Sequence, residues 1–311
     1  NTYTGVTTVA GGFLRADNAS ALGTGGNITF TGGALQFTAA SAGQDWAARF
    51  KNSTSAISLD SNGQNLSLAG VIDSSNAGGV TKLGGGTLML SGVNTFDGAV
   101  SLAAGGIKLG SAGDSFNSPL GTTNGSTVVS SGAALDLNGI TLSALEPLVL
   151  NGTGLSGGGS LMNSGSGAVT WNGPITLGSA CSIVSSYGDM VIAPADPIAG
   201  AFGLTLGGSG TGSSVTTTIG IGTGTVTKAG TGTWTLYGTN TYTGATTISA
   251  GVLRLGTAGS GADSPLGTTN GITVVSTGGA LDLNGFTLAT AEPLTLNGTG
   301  ISGGGALINS S

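Results

Sequence analysis

The sequence predicts an all-β fold, a right-handed parallel β-helix (β-solenoid). Three observations lead to it: long internal repeats, apolar residues that alternate over short segments, and glycine-rich turns in a chain almost without charge. Residues 82–165 align without a gap to residues 228–311, and residues 1–37 form a looser, partial copy. The block SerProLeuGlyThrThrAsnGly stands at Ser118–Gly125 and again at Ser264–Gly271, and AlaLeuAspLeuAsnGly at Ala134–Gly139 and Ala280–Gly285. A self-similar chain of this kind reads as a stack of like units, each covering the next.

Composition narrows the choices. Glycine supplies 63 of 311 residues, about three times the usual ~7%. Charged residues are 6%, where about 25% is ordinary. A disordered chain is poor in aliphatics and usually highly charged. This one has regularly spaced Leu, Ile and Val, so it has the material for a core. Collagen is excluded because glycine has no every-third period and prolines number seven.

The elements follow in order. Leu88/Leu90, Ile107/Leu109, Leu135/Leu137, Leu148/Leu150, Leu253/Leu255, Leu281/Leu283 and Leu294/Leu296 show the period of two of strands with one buried face. Asn138-Gly139, Asn151-Gly152, Asn284-Gly285 and Asn297-Gly298 read as the turns between them. Asp45–Lys51 is the one plausible helical turn. Short strands with glycine turns also suit a sandwich or a propeller. Gapless repeats, small turn residues and neutral Thr, Asn and Ser able to stack without repulsion favour the solenoid. Coils of ~20–25 residues are typical of such units. Residues 1–311 are expected to form one elongated domain, a piece of a longer chain, since they open inside a repeat at Asn1-Thr-Tyr-Thr-Gly5. Trp234, Tyr237 and Tyr242 stand where the earlier copy has Leu88, Ser91 and Phe96. A Trp-for-Leu exchange is large for a tight core, which points Trp234 outward.

Two segments carry a family signature. They are Lys82-Leu-Gly-Gly-Gly-Thr-Leu-Met-Leu-Ser-Gly-Val-Asn-Thr-Phe-Asp-Gly98 and Lys228-Ala-Gly-Thr-Gly-Thr-Trp-Thr-Leu-Tyr-Gly-Thr-Asn-Thr-Tyr-Thr-Gly244. Each precedes a strand pair, Ala99–Leu109 and Ala245–Leu255, and Asn1–Leu14 is a partial copy. The pattern resembles the autotransporter-associated β-strand repeat, also called the passenger-associated transport repeat. The resemblance implies a secreted or surface-displayed parallel β-helix of a bacterial outer-membrane system, a passenger whose repeats assist export.

The chemistry of the side chains excludes several functions. The net charge is −6, and Arg15, Arg49, Lys51, Lys82, Lys108, Lys228 and Arg254 are scattered. Nothing forms the concentrated positive field a nucleic-acid binder needs. No run of about 18 apolar residues offers a membrane-spanning helix. Histidine is absent, which removes Ser-His-Asp and Cys-His catalysis. Gly113-Asp114-Ser115 therefore reads as a turn. Asp136 with Glu146, and Asp282 with Glu292, recur in one register. Duplication explains them without catalysis, with each Asp on an outward strand position before a turn. The glycine clusters Gly207–Gly212 and Gly220–Gly224 lack the strand–helix context of a dinucleotide site. Cys181, the single cysteine, reads as a small buried apolar residue. Asn27, Asn52, Asn65, Asn124, Asn151 and Asn297 begin Asn-x-Ser/Thr triplets that this composition produces by chance.

No catalytic residue, cofactor or metal is expected. The expected function is that of a non-catalytic structural rod, fibre-forming and adhesive, outside the cell or on its surface. Open coil ends favour self-association by end-to-end stacking. Two alternatives remain. A glycan-binding adhesin would use Trp234 and Tyr242 as a platform for surface glycans or a host ligand. A polysaccharide lyase or hydrolase would use the recurring carboxylates.

Overall fold

Short strands account for nearly all regular structure in the computed structural model, which describes residues 1–311. Three single-turn 3-10 segments complete it, and there is no α-helix. Internal contacts divide the chain into two units, Asn1–Val149 and Leu150–Ser311.

In the first unit, Phe13–Ala16, Ala34–Phe37, Ile57–Asp60, Val80–Leu83, Val100–Leu102 and Thr127–Val129 pair in that order, all parallel. A second parallel ladder runs through Leu66–Leu68, Thr87–Leu90, Gly106–Leu109 and Ala134–Asp136. Parallel partners cannot be joined by a tight hairpin. Here the crossover is the rest of the coil, so each strand bonds to the strands one coil before and after it. The short helical turn expected within Asp45–Lys51 is a 3-10 turn at Ala47–Arg49. Trp46 beside it stacks on Phe37, with ring centroids 5.4 Å apart.

The second unit repeats the plan. Leu161–Asn163, Ile175–Ser185, Leu204–Gly208, Val226–Lys228, Thr246–Ile248, Thr273–Val275 and Leu294–Leu296 form one parallel ladder. Val169–Trp171, Met190–Ile192, Ser213–Val215, Thr233–Leu236, Gly251–Leu255, Gly279–Asp282 and Leu307–Ile308 form another. The protein is thus an all-β parallel β-solenoid, as the alternating pattern predicts.

In-register pairing stacks like side chains on like. One interior column of the first unit is Leu35, Leu59, Lys82, Leu102 and Val129. The corresponding column in the second unit is Ile183, Leu206, Lys228, Ile248 and Val275. All ten residues are buried. Each buried aliphatic contributes about 1.5–3 kcal/mol by leaving water.

The recurring SerProLeuGly block departs from the parallel scheme. Asn117–Ser118 pairs antiparallel with Gly121–Thr122, and Asp263–Ser264 with Gly267–Thr268. The small hairpin turns its glycine onto the aromatic ring of the repeat. A Cβ at Gly121 would lie 2.6 Å from Phe96 Cε2, and one at Gly267 2.8 Å from Tyr242 Cε2. Their φ values are 99° and 101°, which also favours glycine. The turns at Asn138-Gly139 and Asn284-Gly285 behave as expected, with φ of 52° at Asn138 and 48° at Asn284, whereas Asn151-Gly152 ends the strand Leu148–Gly152 and only Gly152 and Gly298 of the other two pairs take positive φ.

Two placements correct the sequence reading. Trp234 is buried rather than outward. Its ladder partner on the preceding coil is Ser213, and its indole Nε1 donates to Gly207 O at 2.9 Å. Small residues at these positions make the room that Leu88 does not need. Asp282 is likewise buried.

Substituting Gly267→Ala combines overpacking against Tyr242 with strain at positive φ. It should cost about 2–5 kcal/mol, read as a lowered midpoint in urea unfolding followed by circular dichroism.

Candidate functional site

The polar residues of the repeat signature lie inside the coils. Lys82 and Lys228 occupy interior positions where neighbouring coils place Leu, Ile or Val. The aliphatic stem fills the apolar slot, and the ammonium reaches the turn beside it. Lys82 Nζ donates to Leu83 O at 2.8 Å, Gly84 O at 2.7 Å and Ala104 O at 3.3 Å. Lys228 Nζ donates to Ala229 O, Gly230 O and Ala250 O at 2.8, 2.8 and 3.0 Å. Burial draws both ammonium groups down to about 8, opposed at Lys82 by the Asp60 carboxylate. An ammonium has a hydrogen for each of the three carbonyls; a neutral amine has only two.

Asn94 and Asn240 make a second interior clamp. Asn94 Oδ1 accepts from Ile72 N at 2.8 Å on the preceding coil, and its Nδ2 donates to Pro119 O at 2.7 Å on the following one. Asn240 repeats this with Ile219 N at 2.7 Å and Pro265 O at 2.6 Å. The aromatic two residues on, Phe96 or Tyr242, is buried. The Tyr242 hydroxyl shares a hydrogen bond with Thr246 Oγ1 at 2.6 Å, as Tyr3 does with Thr7 at 2.8 Å. A buried Tyr242 corrects the expectation that it forms part of an exposed platform. Sequence reading missed the interior role of the lysines. The signal was present: Val80/Lys82 and Val226/Lys228 keep the apolar alternation with Lys in a core slot.

The recurring carboxylates are not brought together as a catalytic pair. Asp136 faces Lys108 at 3.6 Å, and Asp282 accepts from Arg254 Nε at 2.7 Å. Asp282 also accepts from Asn284 N and from Ser310 N and Oγ. Burial raises its pKa, but these donors outweigh it and hold the pKa below the usual value. The expectation of an outward Asp fails at Asp282 because the salt bridge to Arg254 and three further hydrogen bonds make burial tolerable. Glu146 and Glu292 meet different partners: Thr127 Oγ1 donates to Glu146 Oε1 at 2.7 Å, and Thr273 Oγ1 to Glu292 Oε1 at 2.6 Å. The second oxygen of each has no partner. Burial pushes Glu146 up to about 8 and raises Glu292 as well.

The remaining sequence candidates are structural in their surroundings. Asp114 Oδ1 accepts from Phe116 N and Asn117 N, so Gly113-Asp114-Ser115 is a turn. Cys181 is buried, and desolvation pushes its thiol up to about 12. The glycines of Gly207–Gly212 close a strand end and a turn, with Gly210 against Ser185 and Gly212 against Asp189. No group of three His, Cys, Asp or Glu is placed to hold a metal ion, and no helix is long and apolar enough to cross a membrane. The exposed aromatics are others than those expected: Tyr3, Phe13, Phe116, Tyr187, Phe202 and Tyr237, with Tyr187 78% and Tyr237 50% accessible. The Tyr237 ring lies against the Gly256 backbone, where the earlier copy sets Ser91 against Gly110.

Two measurements test the interior polar groups. Lys228→Met keeps the stem but removes three donors, and should cost about 3 kcal/mol in chemical unfolding. Glu146 is protonated in the folded chain up to about pH 8, whereas the unfolded chain releases the proton from its ordinary value of 4.5. The folded state therefore holds more protons in this window, and its contribution to stability falls as pH rises from 4.5 to about 8. Glu146→Gln should flatten that decline and raise the melting temperature at pH 8 by a few degrees, seen in thermal melts across the pH range.

The model of the passenger-associated-transport-repeat family matches residues 1–16, 80–109 and 226–255. These spans contain Lys82, Asn94, Lys228 and Asn240, the clamps described above. The chain is also similar to the Adhesin BmaC autotransporter of Brucella suis biovar 1 (strain 1330), 30% identical over 375 aligned residues. That alignment covers 99% of this chain and 10% of the relative, so the chain spans about a tenth of the relative's length. No solved structure matches the chain. The repeat thus stands in three registers with parallel coils built around it, and the chain carrying it is similar over nearly its whole length to part of an autotransporter adhesin.

Proposed function

We propose that this chain is a non-catalytic, adhesive part of a cell-surface or extracellular β-solenoid, displayed as a passenger of an autotransporter-like protein. One observation carries the reading. The acids and bases that recur with the repeat are engaged within and between coils, while Phe116, Tyr187, Phe202 and Tyr237 face solvent. Exposed aromatic rings on a regular scaffold suit contact with the apolar faces of sugars or with a protein partner. The similar autotransporter bears the name of an adhesin.

Self-association by coil stacking belongs to the same reading. Leu294, Leu296 and Leu307 are partly exposed, whereas their repeat counterparts Leu148, Leu150 and Leu161 are buried.

The test is binding of the purified chain to glycan arrays and to epithelial cell layers. Tyr187→Ser with Tyr237→Ser should lower binding about tenfold, the effect of losing about 1.4 kcal/mol, and leave the fold intact. Unchanged binding in the double variant would overturn the aromatic surface. Polysaccharide cleavage abolished by Asp136→Asn and Asp282→Asn would replace the proposal with the enzymatic alternative.

A further inference from the structure

Seven prolines occur in the chain, and only Pro197 follows an aspartate. The Asp196–Pro197 peptide lies in the exposed connection between Met190–Ile192 and Ile198–Gly200. The next coil holds this connection at successive residues. Thr216 N donates to Ile192 O at 2.9 Å, Thr217 Oγ1 donates to Asp196 O at 3.1 Å, and Ile198 N donates to Thr218 O at 2.9 Å. The Pro197 ring lies against the Gly220 backbone. The Asp196 side chain itself is exposed and enters no hydrogen bond or ion pair.

We propose that Asp196–Pro197 is a self-cleavage site, with Asp196 as the nucleophile and Thr217 as the donor that polarises the scissile carbonyl. The carbonyl that accepts from Thr217 is the one that must react. A carboxylate oxygen of Asp196 adds to its own carbonyl carbon. The bond from that carbon to Pro197 nitrogen breaks, and its electron pair stays on nitrogen. A proton from hydronium completes the secondary amine of Pro197. The five-membered anhydride left on residue 196 is opened by water, giving two carboxyl groups. One water is consumed overall, and no other reactant is needed.

Proline suits the leaving position because its nitrogen departs as a basic secondary amine. The chain length of Asp suits the nucleophile, since Glu146–Pro147 and Glu292–Pro293 would need a six-membered ring. Thr217 presents its hydroxyl where negative charge develops on oxygen, and the flanking hydrogen bonds hold the peptide in place beforehand. The products, residues 1–196 and 197–311, stay associated. Met190–Ile192 remains paired with Val169–Trp171 and Ser213–Val215, and Ile198–Gly200 with strands on both of its sides.

The experiment incubates the intact chain in mildly acidic buffer that preserves its circular dichroism spectrum. A peptide spanning Ala193–Ala199 and the urea-unfolded chain serve as references. Cleavage is followed by denaturing gel and by the masses of the two fragments. The folded chain should be cut about tenfold faster than either reference. Thr217→Val should bring the folded rate down to that of the peptide, and Asp196→Ala should abolish the cut. The fragments should elute together in native size-exclusion chromatography. A folded chain cut no faster than the peptide, or a Thr217→Val rate equal to wild type, would overturn the proposal. Fragments that separate under native conditions would overturn their retention in one assembly.

Discussion

The close stacking of one coil on the next is the constraint from which the rest of the structure follows. Parallel strands share hydrogen bonds only with strands a coil away, so every coil depends on its neighbours for main-chain partners. Turn carbonyls fall outside that ladder, and a buried carbonyl without a donor is costly. The repeat meets this need from within. Lys82 and Lys228 each supply three donors to turn carbonyls, and Asn94 and Asn240 join the coil before to the coil after. Glycine abundance has the same origin, since close approach of backbones at Gly121 and Gly267 leaves no room for a Cβ.

The coil architecture was legible because it rests on periodicity. Alternation such as Leu148/Leu150 and the gapless repeat both survive translation into paired strands. The turn chemistry at Asn138 and Asn284 was legible for the same local reason. Side-chain direction was less so. Trp234 was expected outside on grounds of size alone. Whether a large ring fits depends on what lies one coil away, here Ser213 and Gly207, and that spacing belongs to the stack and not to the local sequence. Asp282 was misplaced similarly, because its compensating donors come from Arg254 and Ser310, both far along the chain.

The two copies also show how an interior can drift while its frame stays. Phe96 and Val100 become Tyr242 and Thr246, exchanging an apolar contact for a hydroxyl pair at the same depth. Lys108 with Asp136 becomes Arg254 with a buried Asp282. Glu146 and Glu292 keep their threonine partner in both. Conserved frame with variable filling is what a scaffold permits when its backbone contacts set the spacing and side chains only need to fill it.

The reach of Asn94 from Ile72 to Pro119 has a consequence for how such chains gain and lose length. The amide is complete only when both adjoining coils are present, so a motif cut out alone strands polar groups in two places. Insertions and deletions that survive in this architecture should therefore come as whole clamped modules, with hairpin, asparagine and lysine travelling together. Growth by duplication of large blocks is then imposed by the interior chemistry itself.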